Sequence, residues 1–264
     1  MRRAVVAGNW KMNFTRQTSV STAFDFASNH ETSLLDVILC VPYVFLQPVM
    51  DALSNSKIKV AAQNMHYEEK GAFTGEVSCE MLKEMGLKYV LVGHSERRQF
   101  FGETDETVNL KVLKALEQNI TPILCVGESL EQRKKDVTND VLRQQVNHAL
   151  QKVYAKDVKR IIIAYEPVWA IGTGAVATPK EAEDACKYIR DVIKNKYGAG
   201  IANDVTILYG GSVDDKNSKD LFGKPNIDGG LVGGASMNAS FLHIVKAMQG
   251  VVADDISKGD NVYG

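Results

Sequence analysis

The chain has 264 residues, 45% of them hydrophobic and 24% charged, with 31 Lys and Arg against 32 Asp and Glu. That composition is globular and excludes a disordered chain. A net charge of -1 leaves no basic excess to neutralise a phosphate backbone, so nucleic acid is not an expected partner, while local anion sites remain open.

At the N-terminus Arg2 and Arg3 precede the apolar residues Ala4 to Ala7, but Asn9 and Lys11 end that run before it reaches the length of a secretory signal. Later apolar runs, such as Val37–Val41 and Ile161–Ala164, fall far short of the roughly 20 residues that span a bilayer, so no membrane partner is expected. Cys40, Cys79, Cys125 and Cys186 form no C-x-x-C pair, and no H-E-x-x-H spacing occurs among the histidines. Reduced thiols, a cytoplasmic location and no structural metal are the expectations.

Eight short β-branched runs follow one another: Ala4–Ala7, Val37–Val41, Lys59–Ala62, Tyr89–Val92, Pro122–Val126, Ile161–Tyr165, Val205–Tyr209 and Gly230–Val232. They are continuous rather than alternating, as strands of a parallel sheet covered on both faces require. Their starts advance by about 32 residues, the size of one strand–helix–strand unit. Between them, Asp140–Val153 places Val141, Leu142, Val146, Ala149, Leu150 and Val153 on one helical face. Thr178-Pro179-Lys180-Glu181 is a capping box with proline at the first helical position. The pattern predicts an α/β fold, a single closed (β/α)8 barrel of eight parallel strands surrounded by helices. It occupies residues 1–249, and residues 250–264 are expected to form a flexible tail.

In such a barrel the loops after the strands converge at one mouth. The polar and glycine residues in those positions are Asn9 and Lys11, Gln63 and Asn64, His94 to Glu96, Glu128, Glu166, Gly210 to Ser212, and Gly233 with Gly234. Glu166 precedes Pro167, which favours extended geometry there. Taken singly it fits a strand-end acid paired with a lysine as well as it fits a general base. The stretch Pro167 to Thr178 is too apolar for a solvated loop and too rich in glycine for a helix, as suits either a lid or a static packed loop. His94 precedes a short predicted helix, whose positive end disfavours the protonated imidazole; a neutral ring satisfied by backbone is the alternative reading.

Lys11 sits between Trp10 and Met12, where it offers either a fixed cation for an anionic substrate or an ion pair with Glu96. Gly210-Gly211-Ser212 and Gly233-Gly234 follow the last two strands, where backbone N–H groups can approach a phosphate. A base, an imidazole, a cation and an anion cradle, without a dinucleotide motif, suit proton abstraction beside a carbonyl on a small phosphorylated substrate. Another phosphate-binding barrel enzyme, an epimerase or aldolase, is a rival reading, and so is a non-catalytic scaffold.

Six segments carry a specific resemblance, in order: Gly8-Asn9-Trp10-Lys11-Met12-Asn13, Gly71-Ala72-Phe73-Thr74-Gly75-Glu76, Gly93-His94-Ser95-Glu96-Arg97-Arg98, Tyr165 to Gly174, Tyr209-Gly210-Gly211-Ser212-Val213, and Val232-Gly233-Gly234-Ala235-Ser236. From about Ala4 to Met248 the chain resembles the triosephosphate isomerase family. The resemblance implies interconversion of dihydroxyacetone phosphate and D-glyceraldehyde 3-phosphate through an enediolate, with no cofactor and no metal, in glycolysis and gluconeogenesis. It assigns proton transfer to Glu166, hydrogen-bond donation to His94, charge stabilisation to Lys11 and Asn9, and orientation of the neighbouring groups to Glu96. Gly172, Ser212, Gly233 and Gly234 are the implied phosphate ligands, and Pro167–Ala177 the lid. A homodimer is also implied, with Phe73 and Thr74 at its interface beside the partner's Asn9 and Lys11. The chain departs from the family at Ala175, where lysine is common, and at Pro42-Tyr43, often Pro-Pro. Cys125 is read as a packing residue.

Overall fold

The structure, a computed structural model, describes residues 2–30, 34–171, 176–259 and 262–263. Eight strands, β1 (Val5–Asn9), β2 (Asp36–Val41), β3 (Lys59–Ala62), β4 (Tyr89–Val92), β5 (Thr121–Val126), β6 (Ile162–Tyr165), β7 (Thr206–Tyr209) and β8 (Gly229–Val232), match the eight apolar runs to within one residue at each end, except that β1 continues through Gly8 and Asn9. They pair in chain order, all parallel, and β8 returns to β1 with Val5 opposite Gly229 and Gly8 opposite Val232. The sheet is a closed barrel, as expected.

Period-two alternation splits each strand between two cores. Val5, Ala7, Ile38, Cys40, Leu91, Ile123, Ile162, Ala164, Leu208 and Leu231 fill the barrel interior. Their neighbours Val6, Leu39, Val90, Val92, Leu124, Ile163, Ile207 and Val232 pack outward against the helices. Both faces are dry, which is why the runs in the sequence show no polar alternation. The inner face continues two residues beyond the apolar layer to Asn9, Gln63, Gly93, Gly127, Glu166, Gly210 and Gly233, so the barrel itself aims these positions at the mouth.

The helices follow local signals. Thr178 caps the helix Pro179–Tyr197 and exchanges hydrogen bonds with Glu181, as the capping box predicts. The helix expected over Asp140–Val153 runs over Thr138–Ala149, burying Leu142, Val146 and Ala149. The last helix, Ser240–Lys258, continues straight through the expected end of the barrel at residue 249 and buries Val252. The stretch expected as a flexible tail is therefore helical as far as Lys258 and stops at Gly259, which adopts the left-handed conformation (φ 73°). Beyond it Val262 accepts a hydrogen bond from the Arg2 amide at 3.0 Å, and Tyr263 packs on the core beside the Arg2 guanidinium. Among the described residues no helix is long and apolar enough to cross a membrane.

Polar groups close the end of the barrel opposite the mouth. Lys59 bridges Asp36 at 2.6 Å and the Tyr89 hydroxyl at 3.2 Å. Asp228, fully buried ahead of β8, accepts from Arg190 at 2.9 Å and from the Ile207 amide at 2.8 Å, and meets Arg2 at 3.0 Å. Removing one member strands a buried charge, so Asp228→Ala is expected to cost about 3–5 kcal/mol. Urea unfolding followed by circular dichroism checks this; a midpoint equal to wild type contradicts it.

Candidate active site

The ends of β1, β4, β6, β7 and β8 deliver different groups to one cavity of about 360 Å3, lined by Asn9, Lys11, His94, Glu166, Ile171, Gly210, Ser212, Leu231, Gly233 and Gly234. Most of the site residues predicted from the sequence thus meet at one place. Gly172 and Ala175 lie outside the described residues, as do Thr173 and Gly174, and these four form the centre of the expected lid. Its first part is a short 3-10 turn, Val168–Ala170.

Glu166 is 2% exposed and follows β6. Its Oε1 lies 2.8 Å from His94 Nε2, and its Oε2 accepts from the Ser95 amide at 2.9 Å. Burial pushes this carboxyl's pKa up, but the imidazole, the Ser95 amide and Lys11 together outweigh it and hold the group below the ordinary glutamate range. Its main chain is equally constrained. The Glu166 amide donates to Val126 O at 2.7 Å, and a Cβ added to Gly127 would lie 1.7 Å from the Glu166 carbonyl oxygen. Only glycine fits there.

His94 caps the helix Ser95–Phe100, and its Nδ1 accepts the Glu96 amide at 3.2 Å. The ring proton therefore sits on Nε2, pointing at Glu166. Burial pulls the imidazole pKa down, while the Glu166 carboxylate and, more weakly, Glu96 pull it up, with a net rise in this arrangement. The helix start alone predicts a neutral ring; the structure adds an anion that works against that preference.

Lys11 has φ 52°, in the left-handed region that side chains other than glycine rarely occupy. Three contacts hold it there. Its amide donates to Asn9 Oδ1 at 3.0 Å, its carbonyl accepts from Gln63 Nε2 at 2.9 Å, and its ammonium meets Glu96 Oε1 at 2.6 Å. The catalytic and the ion-pair readings of Lys11 are therefore compatible, because the pair aims the ammonium at the cavity mouth.

Ser212 and the Gly233-Gly234 backbone face the same cavity from β7 and β8. After Gly233 the chain forms a 3-10 turn, Gly234–Met237, and the long helix starts only at Ser240. Glycine backbone rather than a long helix dipole therefore characterises this corner.

Of the strand-end residues, Gln63, Ser95 and Glu96 stand behind the cavity wall, holding Lys11 and Glu166, while Glu128 and Asn64 turn away from it. Glu128, fully buried, turns away from it and accepts from the Trp169 indole at 2.8 Å and the Tyr165 hydroxyl at 3.1 Å. Asn64 Oδ1 accepts from Lys111 at 2.7 Å in a buried cluster with Glu103. Both lie one residue off the inward parity of their strands, a signal available in the sequence. Gln63, on that parity, reaches Lys11, a contact that its strand-end position alone does not specify. Phe73 lies tilted against His66 with ring centroids 4.4 Å apart, in a loop whose turn uses Gly71 and Gly75 at positive φ, and Thr74 is exposed at its tip. Cys125 is buried in the barrel interior, and burial pushes its thiol pKa well up.

A closed parallel barrel whose strand ends gather a carboxylate, an imidazole, an ammonium and glycine backbone around one small cavity defines a barrel enzyme for a small anionic substrate. The family model described as triosephosphate isomerase matches residues 4–248, and the chain belongs to that family. Triosephosphate isomerase of Alkaliphilus metalliredigens is 50% identical over 246 residues, covering 93% of this chain and 99% of that protein. That of Acetivibrio thermocellus is 54% identical over 236 residues, covering 89% and 94%. That of Chloroherpeton thalassium is 48% identical over 252 residues, covering 94% and 100%.

The lowered pKa of Glu166 carries a sign. Stability from its ionised form is fully present above the unfolded carboxyl value of about 4.3 and is lost as pH falls through the lower folded value. Below about pH 5, where His94 is already protonated, the difference in urea midpoint between wild type and Glu166→Gln is therefore expected to shrink toward pH 3. A difference that grows between pH 5 and pH 3 contradicts the shift.

Proposed function

We propose that the chain interconverts dihydroxyacetone phosphate and D-glyceraldehyde 3-phosphate as an aldose–ketose isomerase of glycolysis and gluconeogenesis, using side chains and no cofactor. The observation that carries this reading is the 2.8 Å contact of Glu166 with His94 in a cavity also lined by Lys11 and the Gly233-Gly234 backbone.

Glu166 leaves the Ser95 amide and His94, takes a proton from one substrate carbon and returns it to the adjacent one. Its departure does two things to His94. The Nε2–H becomes available to the substrate, giving its proton to the carbonyl oxygen while the ring takes up the proton of the neighbouring hydroxyl, and the main anion that raised the imidazole pKa is gone, leaving burial, which favours the neutral ring, against only the weaker pull of Glu96. Lys11 and the Asn9 amide stabilise the negative charge that develops on the enediolate oxygens, and Glu96 keeps the ammonium in place. The phosphate occupies the corner formed by Ser212, Gly233 and Gly234, with Gly172 completing it on closure of Pro167–Ala177. Exclusion of water keeps the enediolate from eliminating phosphate.

The active form is a cytoplasmic homodimer. Met12 (96% exposed), Val44 (77%) and Phe73 lie on the loops after β1, β2 and β3, and these apolar residues support a second copy docking there, with Phe73 and Thr74 at the interface. A monomer isolated by charge substitution at Phe73 is expected to turn over poorly, and equal turnover per site in a verified monomer contradicts this.

A coupled isomerase assay tests the reaction. Wild type converts D-glyceraldehyde 3-phosphate, and Glu166→Asp, which withdraws the carboxylate, lowers kcat by about 10²–10⁴. An inactive wild type overturns the reading; an unaffected variant removes Glu166 as the base.

A further inference from the structure

Glu166 is reached through its neighbours on β5, and one side chain outside the cavity controls them. Beyond Val126 the carbonyls of residues 126 and 128 face β6, accepting from the amides of Glu166 at 2.7 Å and Val168 at 3.1 Å. Gly127, between them, directs its own N–H and carbonyl the opposite way, toward β4. No strand waits there. Pairing between β4 and β5 ends at Val92 and Leu124, because Gly93 (φ 74°) turns the chain into His94 and the following helix.

The carboxamide of Gln145, from the helix Thr138–Ala149, fills the vacated place. Gly127 N–H donates to Gln145 Oε1 at 2.7 Å, and Gln145 Nε2 donates to Gly127 O at 3.2 Å. The side-chain amide reproduces the pair of bonds an adjacent strand would make. Around it lies a second cavity of about 410 Å3, lined by Gly93, Arg98, Cys125, Gly127, Gln145 and the rear of Glu166. The cavity leaves the Gln145 side of Gly127 without close packing, and two hydrogen bonds hold it there. Gly127 touches the Glu166 peptide so closely that a displacement of one is transmitted to the other.

We infer that Gln145 is a positioning residue for Glu166: by pairing with both backbone groups of Gly127 it fixes the ledge on which the base is mounted. The inference rests on Glu166 being the base. Misplacement of a reacting group is felt steeply in rate and little in the binding of a phosphate held at the far side of the mouth.

Gln145→Met keeps length and volume and removes both bonds. The expected result is a kcat about 10-fold lower, with KM and the inhibition constant of inorganic phosphate within about 2-fold of wild type. Gln145→Glu keeps the acceptor of the shorter bond and is expected to lose about 3-fold. In the Glu166→Asp background, Gln145→Met is expected to cost less than it does alone, since the two act through one carboxylate. A Gln145→Met kcat within 2-fold of wild type overturns the inference, and so does a loss that follows the thermal midpoint and returns at lower temperature. Should Gln145→Met not fold, Gln145→Glu decides by the same criteria. A fully active Glu166→Asp protein refutes the base assignment instead, a result separable from failure of the Gln145 effect.

Discussion

Closure of the sheet, with β8 back against β1, is the constraint from which the rest follows. A closed parallel sheet has no edge, so every strand is buried on two sides, and its side chains divide strictly by parity between an inner and an outer core. The inner row gives way to polar or glycine residues just past the end of most strands. What comes next on that row is Asn9, Glu166, Gly210 and Gly233, four chain segments with no local relationship, brought to one cavity by the geometry of the strands beneath them. The site is a continuation of the core.

At the mouth, several unfavourable states hold one another in place. A carboxylate is buried, a lysine has left-handed backbone, and a histidine shares a hydrogen bond with the group expected to leave it. Each is tolerable because backbone amides and fixed carbonyls meet it: Ser95 N–H for Glu166, Glu96 N–H for His94, Gln63 and Asn9 for Lys11. Such arrangements store strain where function needs preorganised charge, and their cost is borne by the large two-sided core.

Much of this was legible in the sequence. The strands are readable because continuous Val, Ile, Leu and Ala runs can only be buried on both faces, and Thr178-Pro179 announces its helix through a cap whose chemistry is local. The cavity-lining positions are readable because each lies just after such a run. What did not appear is whatever depends on partners distant in the chain. Glu128 ends a strand as Glu166 does, yet it faces Trp169 and Tyr165, because it lies one residue off the inner row. Gln145 looks like any polar residue of an amphipathic helix, since nothing near it announces that β4 departs early. The stretch after Met248 is polar enough to pass for a tail, but Val252 and Tyr263 anchor it.

That last segment has a topological consequence. Arg2 and Tyr263 lie side by side as a parallel bridge beneath the barrel, on the face away from the mouth, with Arg2 also clamped to Asp228. The polymer is thus nearly a ring. A short peptide joining those two positions would give a circular chain, and new ends could be cut between units on the underside while every loop of the chemical face stayed whole. The closed sheet itself does not require any one of its eight units to come first in the chain.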